Sequence, residues 1–227
     1  MTVREAWRRL RWWAADYLYA GLWQVRAFAD RTEPADFLSG DRQPIVVIPG
    51  VYETWRFLHP LIAALHERGH PVHIVDPLRN NRMPVSAGAA LVSDYLVAQD
   101  LHDVLIVAHS KGGLIGKYVM ALSPAGDRVR CMVAVAAPFG GSVYARYMIS
   151  RSLRSFSPRD RTILALAEET GVNARIVSIY GRFDPHIPEG SALAGAKNVQ
   201  LETGGHFRIL AHPRIVAEVE SLADAPG

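Results

Sequence analysis

The stretch DVLIVAHSKGGLIGKYVM, Asp103 to Met120, changes character at its middle. Val104 to Val107 is a continuous apolar run, as expected of a strand buried on both faces. A helical stretch follows from Gly112 to Leu122, and only Ala108-His109-Ser110-Lys111 separates the two. The same alternation recurs along the chain. PIVVIP (44–49) precedes a helix over Trp55 to His66, and PVHIVD (71–76) precedes one over Val85 to Ala98. VRCMVAVAA (129–137), ARIVSIYG (174–181) and KNVQLE (197–202) supply further strands, and Pro213 opens a last helix running to Leu222. Apolar strands with helical crossovers predict an α/β fold: a mostly parallel sheet of about six strands flanked by helices.

The composition narrows the function. The chain has 227 residues, 49% of them hydrophobic, enough for one sizeable core. A formal charge of +3 with no basic tail and no Cys/His finger spacing excludes a nucleic-acid partner. The single cysteine, Cys131, permits no internal disulfide and points mildly to a reducing, cytoplasmic setting. No apolar run has transmembrane length.

HERGH, His66 to His70, matches the H-E-x-x-H pattern of zinc peptidases, which needs both histidines on one unbroken helical face. Gly69 and Pro71 oppose that, because glycine terminates helices and the residue before proline is biased to extended backbone. The segment reads as helix end, turn and strand, and no metal or other cofactor is expected.

Around Ser110 the residue types fit a nucleophile elbow, with Ala108 in place of the first glycine of G-x-S-x-G. A serine on a sharp strand-to-helix turn needs small residues two positions away on each side, and Ala108 and Gly112 meet that need. The following helix aims its N-terminal amides at the serine, so the Lys111 N–H is a candidate oxyanion donor. Over six residues an ordinary strand–helix junction would read the same way.

With these residues the sequence resembles the α/β-hydrolase superfamily, particularly its small bacterial lipases and esterases, from about Pro44 onward. The resemblance implies a nucleophile, an acid and a histidine in that order, each following a strand. IVSIYGRFDPHIP then offers Asp184 as the acid, and KNVQLETGGHFRIL offers His206 as the histidine. Among other candidates, Asp76 reads as a turn residue, Asp160 as solvated and His212 as a helix-start residue. His186 is assigned to a turn, and His109 to packing beside the serine. A second oxyanion donor is expected from VIPGVYETW (47–55), with the Val51 N–H first and Tyr52 next. Relatives often have His-Gly there; this chain has Pro49-Gly50.

Two segments lie outside the strand–helix rhythm, giving an N-terminal aromatic and basic segment over 1–40 and a hydrolase domain over 41–227. Within the latter, 139–173 forms a lid-like insertion of one or two helices. Near the N-terminus, Val3, Trp7, Leu10, Ala14, Tyr17, Gly21, Val25 and Phe28 recur at helical spacing, with Trp12, Tyr19 and Trp23 beside them. Such an amphipathic helix packs through its stripe on its own domain or a second copy, or lies at a membrane surface.

The sequence therefore predicts a serine hydrolase of small-molecule or lipid esters, using Ser110, His206 and Asp184 through an acyl-enzyme. The alternatives are an acyltransferase or thioesterase with the same residues, or a non-catalytic binding protein that keeps the fold.

Overall fold

The computed structural model describes residues 2–225. The six apolar runs form one wholly parallel sheet: β1 (Ile45–Ile48), β2 (Val72–Ile74), β3 (Val104–His109), β4 (Val129–Val135), β5 (Ile176–Phe183) and β6 (Lys197–Gly204). Their spatial order is β2-β1-β3-β4-β5-β6. Every residue of β1 and β3 is buried, as their unbroken hydrophobicity requires, whereas the edge strand β6 is largely polar and exposed.

Strand residues alternate between two cores. Val46, Ile48, Ile106 and Ala108 pack with helices α3 (Val85–Ala98) and α4 (Lys111–Leu122). Ile45, Val47, Leu105 and Val107 pack instead with α2 (His59–His66) and α7 (Pro213–Ala223). The chain leaves β1 towards β2 on one side and returns to β3 on the other. This reversal opens a crevice at the carboxyl ends of β1 and β3, where ligands bind in open parallel sheets.

Helix α2 ends at His66, and Gly69 follows in a turn with φ +87°. His70 lies outside the helix with its ring buried, Nδ1 on the Gln43 carbonyl at 2.8 Å and Nε2 on Glu220 at 3.0 Å. The H-E-x-x-H residues thus do not share a helical face. The 139–173 stretch forms a 3₁₀ turn (Val143–Tyr147) and the short helices α5 (Arg151–Arg154) and α6 (Arg161–Glu168). Asp160 does more than meet solvent: its carboxylate caps α6 by accepting the Thr162 N–H at 2.9 Å. His212 caps α7 in the same manner, as expected of a helix-start residue.

Helix α1 (Val3–Ala29) begins with a reciprocal Thr2/Glu5 capping box and packs on the second core beside β6. Of the three fates open to the stripe, its orientation removes packing on its own domain. Tyr19, Ala20 and Trp23 face the domain, while Val3, Trp7, Leu10, Val25 and Phe28 face outward. The reason is Asp16, which lies on the inward face and is fully buried.

Candidate functional site

The site forms where β1, β3, β5 and β6 end. At the end of β3, Ser110 has φ 50° and ψ −119°, a conformation that costs a non-glycine residue free energy and persists only when its surroundings enforce it. Here the Ser110 N–H continues the ladder to the Val135 carbonyl at 2.8 Å, while its own carbonyl already accepts the Gly113 N–H of α4 at 3.0 Å. The turn is tight enough that a Cβ on Gly112 would lie 2.2 Å from the Ile48 carbonyl oxygen. That contact is the physical demand behind the small residue at this position.

His206 follows β6 and Asp184 follows β5. The structure brings both to Ser110, with His206 Nε2 2.9 Å from Ser110 Oγ and His206 Nδ1 2.7 Å from Asp184 Oδ2. A carboxylate only accepts, so Nδ1 carries the proton and Nε2 is free to accept from the serine. The other Asp184 oxygen accepts the His186 and Ile187 amides at 2.8 and 3.1 Å. Burial opposes the charge on Asp184, but His206 and these donors outweigh it and hold its pKa below the usual value. Burial likewise opposes an imidazolium at His206. The Asp184 charge and hydrogen bond, joined by Glu53 and Asp16, prevail and raise its pKa.

His186 lies in the turn after β5, as read from the sequence, but its ring also reaches the site. Its ring lies tilted by 41° against that of His206 with centroids 4.8 Å apart, and its Nε2 is 3.1 Å from the Tyr17 hydroxyl. Burial and the neighbouring His206 push its pKa down to about 4, so it stands beside His206 as a neutral ring.

Of the expected oxyanion donors, the Tyr52 N–H is already committed to the Asn80 carbonyl at 2.8 Å. The Val51 N–H makes no hydrogen bond among the described residues, and the Lys111 N–H, at the first position of α4, has no partner within its helix. The Lys111 side chain turns away into the protein. Its ammonium donates to the carbonyls of Asn81, at 2.8 Å, and Met83, and burial lowers its pKa to about 8.

Two acidic residues that sequence reasoning missed organise this region. Glu53 is buried, accepts the Gly50 N–H at 2.7 Å and lies 2.8 Å from His109 Nδ1. The opposite nitrogen of His109 donates to the His206 carbonyl at 2.9 Å. His109 therefore does more than pack beside the serine: it ties the β1 loop to the His206 loop. With acceptors on both sides of its ring, one proton must be shared between Nδ1 and Glu53.

The second residue is Asp16 of α1. It accepts three consecutive amides, those of His206 and Phe207 at 2.8 Å each and Arg208 at 2.7 Å. Gly205, with φ +114°, makes room for it, since a Cβ there would meet Asp16 Oδ1 at 2.3 Å. Trp12 covers Gly204 in the same way. The sequence carried a signal: two glycines before His206, and one carboxylate in the midst of an aromatic, basic helix.

Beside Ser110 lies a cavity of about 470 Å³. Val51 and Tyr52 line one side, and Tyr144, Met148, Leu153 and Phe156 of the insertion form its apolar wall. Trp13 and Tyr17 of α1 complete the rim. Among the described residues, no group of three or more His, Cys, Asp or Glu is placed to hold a metal ion.

No family model matches the chain. Its fold is similar to that of solved α/β-hydrolases. The mature lipase BlEst2 of Bacillus licheniformis superposes with a TM-score of 0.65 at 15% identity, covering 85% of this chain and 100% of that one. The enol-lactonase of Burkholderia xenovorans gives 0.56 at 17%, covering 82% and 91%. An extracellular α/β-hydrolase from a Paenibacillus species gives 0.53 at 19%, covering 80% and 98%. The chain has the α/β-hydrolase fold.

Proposed function

We propose that the protein is a serine hydrolase of carboxylic esters with apolar acyl groups. One observation carries this reading: Ser110, on its strained turn, is linked to His206 and Asp184 at 2.9 and 2.7 Å beside an apolar cavity. Neighbours of the same fold, including a lipase and an enol-lactonase, support hydrolysis of esters.

In the proposed reaction, His206 Nε2 takes the Ser110 proton as Oγ attacks the ester carbonyl carbon. The oxyanion is stabilised by the amides of Val51 and Lys111, and Asp184 stabilises the imidazolium. The C–O bond to the alcohol breaks as His206 returns the proton to the leaving oxygen. Water, deprotonated by His206, then attacks the acyl-enzyme and releases the acid and Ser110. The insertion acts as a lid, since its apolar residues form one wall of the cavity. No cofactor is required.

The test is fluorophosphonate labelling read by intact mass, with Ser110→Ala as control, together with p-nitrophenyl esters from acetate to palmitate. One adduct on the wild type, none on the variant, and Ser110-dependent turnover are expected. Acyl transfer would appear as ester formed from an added alcohol in preference to free acid. A thioesterase would prefer the matching thioester. Absence of an adduct, with detergent or lipid present, would overturn the reading in favour of a binding protein.

A further inference from the structure

Helix α1 has two faces of different chemistry. The inner face is used up in holding the domain, through Trp12, Asp16, Tyr19 and Trp23. The outer face is apolar along its length: Trp7 is 63% exposed, Leu18 64%, Val25 70% and Phe28 91%. A surface helix of a water-soluble domain places its apolar stripe inward; this one has it outward while firmly docked by the other side. An exposed stripe of such extent marks an interaction surface.

Its borders identify the occupant. Arg4, Arg8, Arg11 and Arg26 are all exposed along the helix, and Arg8 and Arg26 are braced over the rings of Trp12 and Trp23. The two acidic residues of α1 are both engaged elsewhere, Glu5 in the N-terminal cap and Asp16 beneath the helix. The outward side therefore combines apolar side chains with exposed arginines that outnumber the acids of the helix, which suits an anionic lipid surface. The stripe also extends to the cavity, which Trp13 and Tyr17 line together with Tyr144 and Met148 of the insertion. Beside these the insertion exposes Tyr147 and Ile149, the latter 96% exposed, with Arg146 between them in sequence. Among the described residues no helix is long and apolar enough to cross a membrane.

We propose that α1 lies along an anionic bilayer with its outer stripe in the headgroup region, joined by the exposed tip of the insertion. The cavity mouth, flanked by both, then faces the lipid. This docking depends on the helix surface and not on the chemistry at Ser110.

Sedimentation with phosphatidylcholine vesicles, and with vesicles of equal parts phosphatidylcholine and phosphatidylglycerol, tests the proposal on the full chain carrying Ser110→Ala. Binding to the anionic vesicles is expected, weakened by salt and accompanied by a blue shift of tryptophan emission. Trp7→Gln/Leu18→Gln/Val25→Gln should reduce that binding by about tenfold or more. The same triple substitution in the active protein should leave p-nitrophenyl acetate turnover unchanged, which establishes that α1 remains docked. Absence of binding to either vesicle, or equal binding to both, would overturn the proposal. So would a dimer that the triple substitution dissociates, since the stripe would then belong to a second copy.

Discussion

Asp16 and His206 are 190 residues apart in sequence, yet the Asp16 carboxylate accepts the His206 backbone N–H at 2.8 Å. The next two amides converge on the other oxygen of the same carboxyl group. The imidazole that meets Ser110 is thus aimed by two carboxylates, Asp184 on its ring and Asp16 on its backbone.

Asp16→Asn is expected to lower kcat/KM for a soluble ester by about tenfold to a hundredfold, because a slightly misplaced base loses alignment with Ser110. Asp16 also raises the His206 pKa. The general base acts when neutral, so activity in the wild type falls as pH drops through a value above that of an ordinary histidine. Losing the Asp16 charge should move this acid limb to lower pH. A kcat/KM–pH profile reads both effects; a lower plateau with an unmoved limb would reduce Asp16 to a structural support. Asp16→Ala strands buried amides and should destabilise the fold by about 1–3 kcal/mol.

Glu53→Gln keeps an acceptor for the Gly50 N–H but cannot share a proton with His109 as the acid does. The Val51 amide follows directly on Gly50, so the loss should fall on kcat, by about tenfold to a hundredfold, with KM little changed. Steady-state kinetics across a soluble ester series distinguish this from a defect in substrate binding, which would raise KM instead.

Gly112→Ala drives a methyl group towards the Ile48 carbonyl. The backbone must shift where Ser110 is held, and a cost of about 1–3 kcal/mol is expected from overpacking alone. Denaturant unfolding should register the loss. The fluorophosphonate labelling rate should fall further than stability does, because the displaced element carries the nucleophile.

Lys111 gives a signature in stability. Its pKa is lowered from 10.5 to about 8 in the folded state, so between those values the unfolded chain binds the extra proton and the folded one does not. Stability from this group therefore rises with pH across that window. Lys111→Met removes the titration and leaves the Asn81 and Met83 carbonyls without their donor. Its melting temperature measured against pH should therefore lack the wild type's alkaline gain.

What the sequence disclosed was local. Ser110 and Asp184 each follow an apolar strand directly, His206 comes two residues after the more polar β6, and strand, turn and helix signals are written in consecutive residues. The parallel six-stranded sheet was legible for the same reason. Glu53 was not, because its role depends on a loop after β1 in which Tyr52 adopts φ 63° and which brings Glu53 to His109 at the end of β3. The packed face of α1 was not legible, because periodicity reports where apolar residues lie and leaves open whether their stripe turns inward or meets a second copy or a membrane. Here three amides and two glycines distant in sequence decided the orientation, overriding the stripe.

The Asp16 contact also bears on how the molecule comes together. During synthesis α1 leaves the ribosome long before β6 and the His206 loop exist, so although Tyr19 can meet Phe57 early, the Asp16 carboxylate has no amide partners until nearly the whole sheet has formed. Contacts spanning so much chain close slowly and late. His206 is then set in place only at the end of folding, and a partly folded chain, with Asp16 unpaired and the outer face of α1 exposed, would be adhesive but inert. Turnover in a refolding experiment should accordingly lag behind the recovery of helical circular dichroism.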